Sequence, residues 1–220
     1  MASSVPAPTR ARQQRAVQTR RQILETAATA FARHGHDGIS LNQVIRESGL
    51  TKGAVYFHFP SREALALATF RHKQEQLVEL IAARVDDGLP ALERLAALLR
   101  ERARLLEEDQ SLLVVVRLGI ELTLRYGPDS EYGTFSELPL AALEAIVREG
   151  QQAREVREEL DARATAQTIF AGILGIDQAA LMLSRGFDIR TRTEQLLDVL
   201  IPGLRQERLR PPKKGRKEIA

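Results

Sequence analysis

Lys52, Tyr56 and His58 fall within one short stretch, 52–58, behind the small residues Thr51, Gly53 and Ala54. A lysine at such a position donates to guanine O6 or N7, or to a phosphate oxygen. Small residues beside it let the backbone come close to base edges. Tyrosine and histidine carry polar tips on flat bodies and suit phosphate oxygens. Tyr56, Phe57 and Phe59 also have a second reading, as an apolar seam against the next helix. The seam is the better account of Phe59 and nucleic-acid contact the better account of Tyr56. His58 stays open between the two, and near neutral pH an ordinary histidine is uncharged. Arg20, Ser40 and Arg62 flank the stretch and can reach a phosphate backbone.

Such chemistry needs a short, rigid, exposed helix, and residues 40–60 have the pattern of one held by a second. Ser40 with Gln43 is a capping pair for a helix that ends at Gly49, where a left-handed residue fits cheaply. Ser40 at that N-terminus adds free backbone N–H groups that suit a phosphate. Thr51 caps the next helix and Pro60 stops it. Val44, Leu50 and Val55 face a shared core. This is the outline of a helix-turn-helix, whose second helix enters the DNA major groove. A supporting helix is expected from near Thr19, capped by Thr19 with Gln22, with Ile23, Leu24, Ala27, Ala28 and Phe31 on one stripe and Gly35 at its end. Ser61 caps a fourth helix reaching about Val85, with Glu63 favourable at its N-terminus.

The chain has 220 residues, 44% of them hydrophobic, enough for a sizeable core. It has no cysteine, which excludes a disulfide framework and thiol chemistry and suits a reducing cytoplasm. No signal-peptide pattern and no uncharged span of membrane length stands out, so a soluble cytoplasmic, nucleoid-associated protein without membrane contact is expected. Charge is unevenly placed: residues 1–60 carry a net +5, residues 61–204 a net −7 and residues 205–220 a net +5. A polyanion is drawn to the N-terminal part and repelled by the middle. Four segments follow: a flexible basic arm over 1–16, a helix-turn-helix domain over 17–60, a helical body over 61–204 and a disordered basic tail over 205–220.

Gln-Thr-Arg-Arg-Gln-Ile-Leu-Glu-Thr-Ala at 18–27, Phe-Ala-Arg-His-Gly at 31–35 and Thr-Lys-Gly-Ala-Val-Tyr-Phe-His-Phe-Pro-Ser-Arg-Glu-Ala-Leu at 51–65 resemble the N-terminal region of the TetR family of one-component repressors. The resemblance spans about residues 17–70. One departure is Ala64, where members often carry a glutamate completing the Ser61 capping box, a loss of ~1 kcal/mol. The resemblance implies an all-α homodimer: a three-helix DNA-binding domain on a ligand-binding and dimerisation body, bound to double-stranded operator DNA and responsive to a small hydrophobic ligand.

The rest of the chain is consistent with that. Apolar helical periods run over 89–106, 112–126, 139–154, 162–184 and 191–204, with a turn at 127–130 extending as a loop to 137. The helix at 162–184 is apolar nearly all round, which implies burial on more than one side. Its interior Gly172 and Gly175 each cost about 1 kcal/mol, to be offset by close packing. The last helix is expected to stop at Pro202-Gly203. Two such helices from each of two subunits make a four-helix interface; a core pair within one monomer is the alternative. Polar residues among apolar neighbours, Arg117, Glu121, Gln167, Asp177 and Gln178, and the apolar Phe135, Phe170 and Leu174, are candidate ligand contacts.

A narrower resemblance joins 12–20, 116–123, 170–178 and 201–204 to the γ-butyrolactone receptor branch, whose members place a tryptophan over the ligand. This chain has no tryptophan. A different butenolide or furan signal, an antibiotic intermediate, or no ligand at all fits that departure. Other function classes have little support. His34 and His36 are the one close histidine pair and lack a third converging ligand, so no metal or cofactor is expected. No glycine-rich phosphate loop or nucleophile elbow is present, and no catalytic residue is assigned. A helical adaptor binding a protein partner accounts for the body but not for the basic face at 51–58.

Overall fold

A computed structural model describes residues 10–183 and 187–206, apart from the side chains of Arg12, Thr134 and Phe135. Among the described residues nine α-helices and two 3-10 turns account for the regular structure, joined by one antiparallel bridge between Val156 and Arg205. The helices are α1 Arg10–His34, α2 Leu41–Ser48, α3 Lys52–His58, α4 Arg62–Ala82, α5 Ala91–Glu108, α6 Leu113–Tyr126, α7 Glu137–Gln152, α8 Ala162–Leu183 and α9 Ile189–Leu204. The 3-10 turns are Gln110–Leu112 and Gly133–Ser136.

The N-terminal head forms where the caps place it. Ser40 Oγ accepts from Gln43 N, Thr51 Oγ1 from Ala54 N and Ser61 Oγ from Ala64 N, each starting α2, α3 and α4. Gly49 ends α2 at φ +67°, a left-handed conformation that side chains rarely adopt. Ile23, Leu24, Ala27, Ala28 and Phe31 of α1 are buried, with Val44, Val55, Phe59, Leu65 and Phe70 around them. Each large apolar side chain so enclosed contributes about 1.5–3 kcal/mol.

Two expectations for α1 are corrected. It begins at Arg10, so residues 10–16 of the expected arm are helix. The run Arg-Gln-Gln-Arg-Ala at 12–16 is made of strong helix formers with no breaker before Thr19. Gln22 does not close a capping box with Thr19; its amide reaches 26 residues ahead and donates to Ser48 O at 2.9 Å. Residues 1–9 lie outside the described part.

The head's core does not end at Pro60. Val114, Val115, Leu118 and Leu122 of α6, with Tyr132, belong to the same buried cluster as α1–α4. A second cluster joins α5, α7, α8 and α9 through residues such as Leu95, Leu99, Val147, Ile169 and Leu197. A third links Leu77 of α4 and Leu106 of α5 to Leu112 and Ile189.

At the far end α9 continues through Pro202 and Gly203 to Leu204 instead of stopping there. Pro202 is exposed, so the carbonyl it leaves without an N–H partner can turn to water. Arg205 and Gln206, expected in the tail, pair instead with Val156 and with Glu155 O; the remainder of the tail, 207–220, and Ser184 lie outside the described residues. α8 is also long and apolar enough, by length and composition, to cross a membrane, contrary to the expectation that no stretch comes near that measure. It packs one side against α7 and α9 and carries the buried Asp177, which pairs with Arg102 of α5, while most of its apolar surface stays uncovered in the single chain.

Candidate DNA-reading face and body cavity

α3 is held by two residues one turn apart, Val55 and Phe59, both buried in the head. That register turns Thr51, Lys52, Gly53, Tyr56 and Phe57 outward, with Ala54 and His58 half-buried. Lys52 Nζ sits 5.6 Å from the centroid of the Tyr56 ring, so the two share one face at i, i+4 spacing. Phe57 is 81% exposed, which corrects its seam reading. Two residues on from Val55 a helix has turned about 200°, so Val55 and Phe59 define the seam and Phe57 points away from it. His58 edges against the Phe57 ring at 5.2 Å.

The flanking candidates differ in availability. Arg20 is exposed and lays its guanidinium 5.4 Å from the Phe59 ring centroid, at the rim of the α3 face. Ser40 is exposed at the start of α2. Arg62 is half-buried and lies 3.5 Å from carboxylate oxygens of both Asp37 and Glu63. A phosphate must compete with those two acids for it.

Arg117 and Glu121, expected as ligand contacts, face the head instead of a cavity. Arg117 Nη1 donates to Ala32 O and Arg33 O, both at 3.0 Å. These are carbonyls of the last turn of α1, which have no partner within their own helix, and the cation also suits the negative end of the helix dipole. Glu121 Oε2 accepts from His36 N at 2.8 Å, and its Oε1 accepts from Arg117 Nε at 3.0 Å. Gly35 makes room for this: its φ is +70°, and a Cβ there would stand 2.6 Å from Glu121 Oε1. At the end of α6 Arg125 forks onto Asp37, one bond measuring 2.9 Å. Hydrogen bonds from Arg125 and then from His36 hold the Asp37 carboxyl well below the usual aspartate range.

A second junction, not among the sequence expectations, ties α4 to α1. Lys73 of α4 is 1% exposed and donates to Glu25 Oε2 of α1 at 2.6 Å and to Gln76 Oε1 at 2.9 Å. His72 Nε2 lies 3.0 Å from Glu25 Oε1. Burial pushes the Glu25 carboxyl up, but hydrogen bonds from Lys73 and His72 outweigh it and hold it below the ordinary range. The signal was present: Leu65, Ala66, Thr69, Phe70, Lys73 and Leu77 form one buried stripe, so the lysine stands in a core register.

Below the head, α4–α8 enclose a cavity of about 630 Å³. Leu77 and Ile81 of α4, Val115 and Val116 of α6, Leu143 and Ile146 of α7 and Phe170, Ile173 and Leu174 of α8 form its apolar wall. Val78 and Leu138, both exposed, mark a mouth between α4 and α7. Asp177 lines the cavity and is fully buried; Arg102 of α5 donates to both of its oxygens, one bond measuring 3.0 Å. Of the expected ligand contacts, Phe170, Leu174 and Asp177 therefore lie on this wall. Gln167 lies one turn before Phe170 on the same stripe of α8, but it is exposed and falls beyond the end of the cavity wall. Gln178 is half-buried off the wall, and the side chain of Phe135 lies outside the described part.

Residues 23–69 match the family described as bacterial regulatory proteins, tetR family, and residues 70–203 match the C-terminal region of YsiA-like proteins. The chain is 30% identical to the A-factor receptor protein of Streptomyces griseus over 194 residues, covering 88% of this chain and 66% of that protein. It is 25% identical to the fatty acid metabolism regulator protein of Bacillus subtilis over 186 residues, covering 83% of this chain and 94% of that one. Among solved structures, CprB of S. coelicolor A3(2) superposes with a TM-score of 0.71 at 26% identity, covering 87% of this chain and 90% of that one. A structure described as the molecular basis for control of antibiotic production by bacterial hormones superposes with a TM-score of 0.72 at 29% identity, covering 86% and 98%.

Proposed function

The chain belongs to the TetR family of bacterial regulatory proteins, and on that premise we propose that it is a dimeric repressor, released from a palindromic operator by a small apolar signal. It is a transcriptional regulator and not an enzyme. The observation that carries the reading is the placement of α6. Val115 and Val116 line the cavity, while Arg117 and Glu121 on the same helix hold the end of α1. A ligand that shifts α6 tilts the head, and α3 moves with it. To weaken operator binding 100-fold, a ligand must favour the non-binding arrangement by about 2.7 kcal/mol.

A second copy of the chain is the other requirement. Met182 and Leu183 of α8 and Val199 of α9 are exposed apolar side chains on the two last helices. A two-fold copy covering this face sets two α3 helices about 34 Å apart, one DNA turn, and demands a palindromic site. Similarity to the A-factor receptor supports a γ-butyrolactone-like or antibiotic-related signal. The protein acts in the cytoplasm, where its operator lies.

Selection of binding sites from random DNA, followed by anisotropy titration, tests this. A two-fold symmetric site bound by one dimer is expected, with affinity falling steeply with salt. Val199→Glu should give a monomer by light scattering and lose most operator affinity. Full-affinity binding of an asymmetric site by a monomer would refute the dimeric reading, and indifference of the complex to every fraction of a native metabolite extract would refute the ligand response.

A further inference from the structure

The Arg102–Asp177 pair is an odd lining for an apolar cavity. Asp177 is fully buried and the Arg102 side chain is 18% exposed. Desolvating two such charges usually costs as much as their attraction returns, and apolar replacements of a buried pair are often as stable. Stability therefore does not explain it. Arg102 spends its two terminal nitrogens on the two oxygens of Asp177, in a fork that leaves its Nε–H outside the pair.

The remaining charges on the wall point the same way. The lining holds two arginines, Arg94 and Arg102, against three carboxylates, Asp87, Glu149 and Asp177. Arg94 is paired with Glu149 and donates to the backbone carbonyl of Asp87, and Arg102 is paired with Asp177. An entering anion thus meets a wall of net negative charge whose cations are already matched, and it also loses its hydration. An uncharged carbonyl oxygen loses far less and can accept from Arg102.

Resting on the reading that this cavity takes a ligand, we propose that the Arg102–Asp177 pair is a polar anchor and charge filter: the cavity accepts an uncharged amphiphile whose carbonyl bonds to Arg102, and rejects the matching carboxylate. Asp177 is the positioning residue, since it fixes the plane of the guanidinium. The apolar chain of the ligand lies along Phe170 and Leu174 toward the mouth at Val78 and Leu138.

The full-length protein is tested with N-phenyl-1-naphthylamine, an uncharged fluorescent probe without a carbonyl, displaced by γ-decalactone or by decanoate at pH 7. γ-Decalactone should displace the probe at a concentration at least tenfold below that of decanoate. The double variant R102M/D177L removes both charges, so neither is left buried alone. It should melt cooperatively and still bind the probe, while γ-decalactone competes about tenfold less well and its advantage over decanoate narrows. Decanoate displacing as well as the lactone, or an unchanged lactone affinity in the double variant, overturns the anchor and filter while leaving the ligand cavity standing. Failure of the probe to bind the parent protein overturns the cavity reading itself.

Discussion

Replacing Glu121 by alanine isolates the joint between body and head. Two interactions are lost, and their sizes differ. The bond to Arg117 is an i, i+4 pair with side chains 28% and 38% exposed, and pairs of that kind contribute about 0.3–0.5 kcal/mol. The bond from His36 N is another matter. His36 is 1% exposed, and the Glu121 carboxylate is the acceptor that its amide meets. A buried donor left unmatched costs about 1–3 kcal/mol. The expected loss is therefore about 2 kcal/mol, most of it at one amide. Because 1.4 kcal/mol is a factor of ten, exchange of the His36 amide with deuterium should quicken about 30-fold. Amides in the middle of α8 should be little changed. Glu121→Gln keeps an acceptor for His36 and should quicken exchange by less than about fivefold. An alanine variant whose His36 amide exchanges at the parental rate would refute the account of this joint. If the joint also carries the signal, the alanine variant should bind operator yet respond to ligand less than the parent does.

Lys52→Ala should weaken operator binding and lower the salt slope by about one unit if Lys52 neutralises a phosphate, whereas Phe57→Ala should weaken binding with the slope unchanged; anisotropy at several salt concentrations separates them. Glu25→Ala should destabilise more than Lys73→Met in urea unfolding, by about 2–3 against about 1 kcal/mol, because the first leaves a buried cation and the second leaves a carboxylate that water can reach; equal losses would contradict that asymmetry. Asp37 is depressed in the folded state, so its contribution is present above the unfolded value near pH 4 and is lost as pH falls toward the lower folded value. Asp37→Asn should flatten the acid limb of the stability curve below about pH 4 and leave the neutral region's slope unchanged.

Local chemistry was legible and assembled chemistry was not. Ser40, Thr51 and Ser61 cap the helices that their spacing implied, since a cap depends on three neighbouring residues. Thr19 has the same spacing and is no cap, because helix formers precede it and Gln22 has a partner 26 residues away. Arg117 and Glu121 stand out as polar among apolar residues, but the sequence cannot say which side of α6 meets a cavity and which meets a helix end. Phe170, Leu174 and Asp177 share the wall because α8 presents them at spacings of three and four; Gln167 continues that stripe by one turn but lies past the end of the cavity, a limit that spacing alone does not reveal. Phe57 was hidden by composition: an aromatic between aromatics looks like core until the register of Val55 and Phe59 is known.

The buried cluster that runs from α1 through α4 into α6 bears on how such proteins exchange parts. A recombinant that joins this head to a foreign body at Pro60 would strip the head of Leu118, Leu122 and the arginine that closes the end of α1. The workable unit of exchange is discontinuous, residues 10–70 together with 113–132. A head moved without that second piece should arrive as an insoluble fragment, while one moved with it should keep its fold and answer to the ligand of its new body.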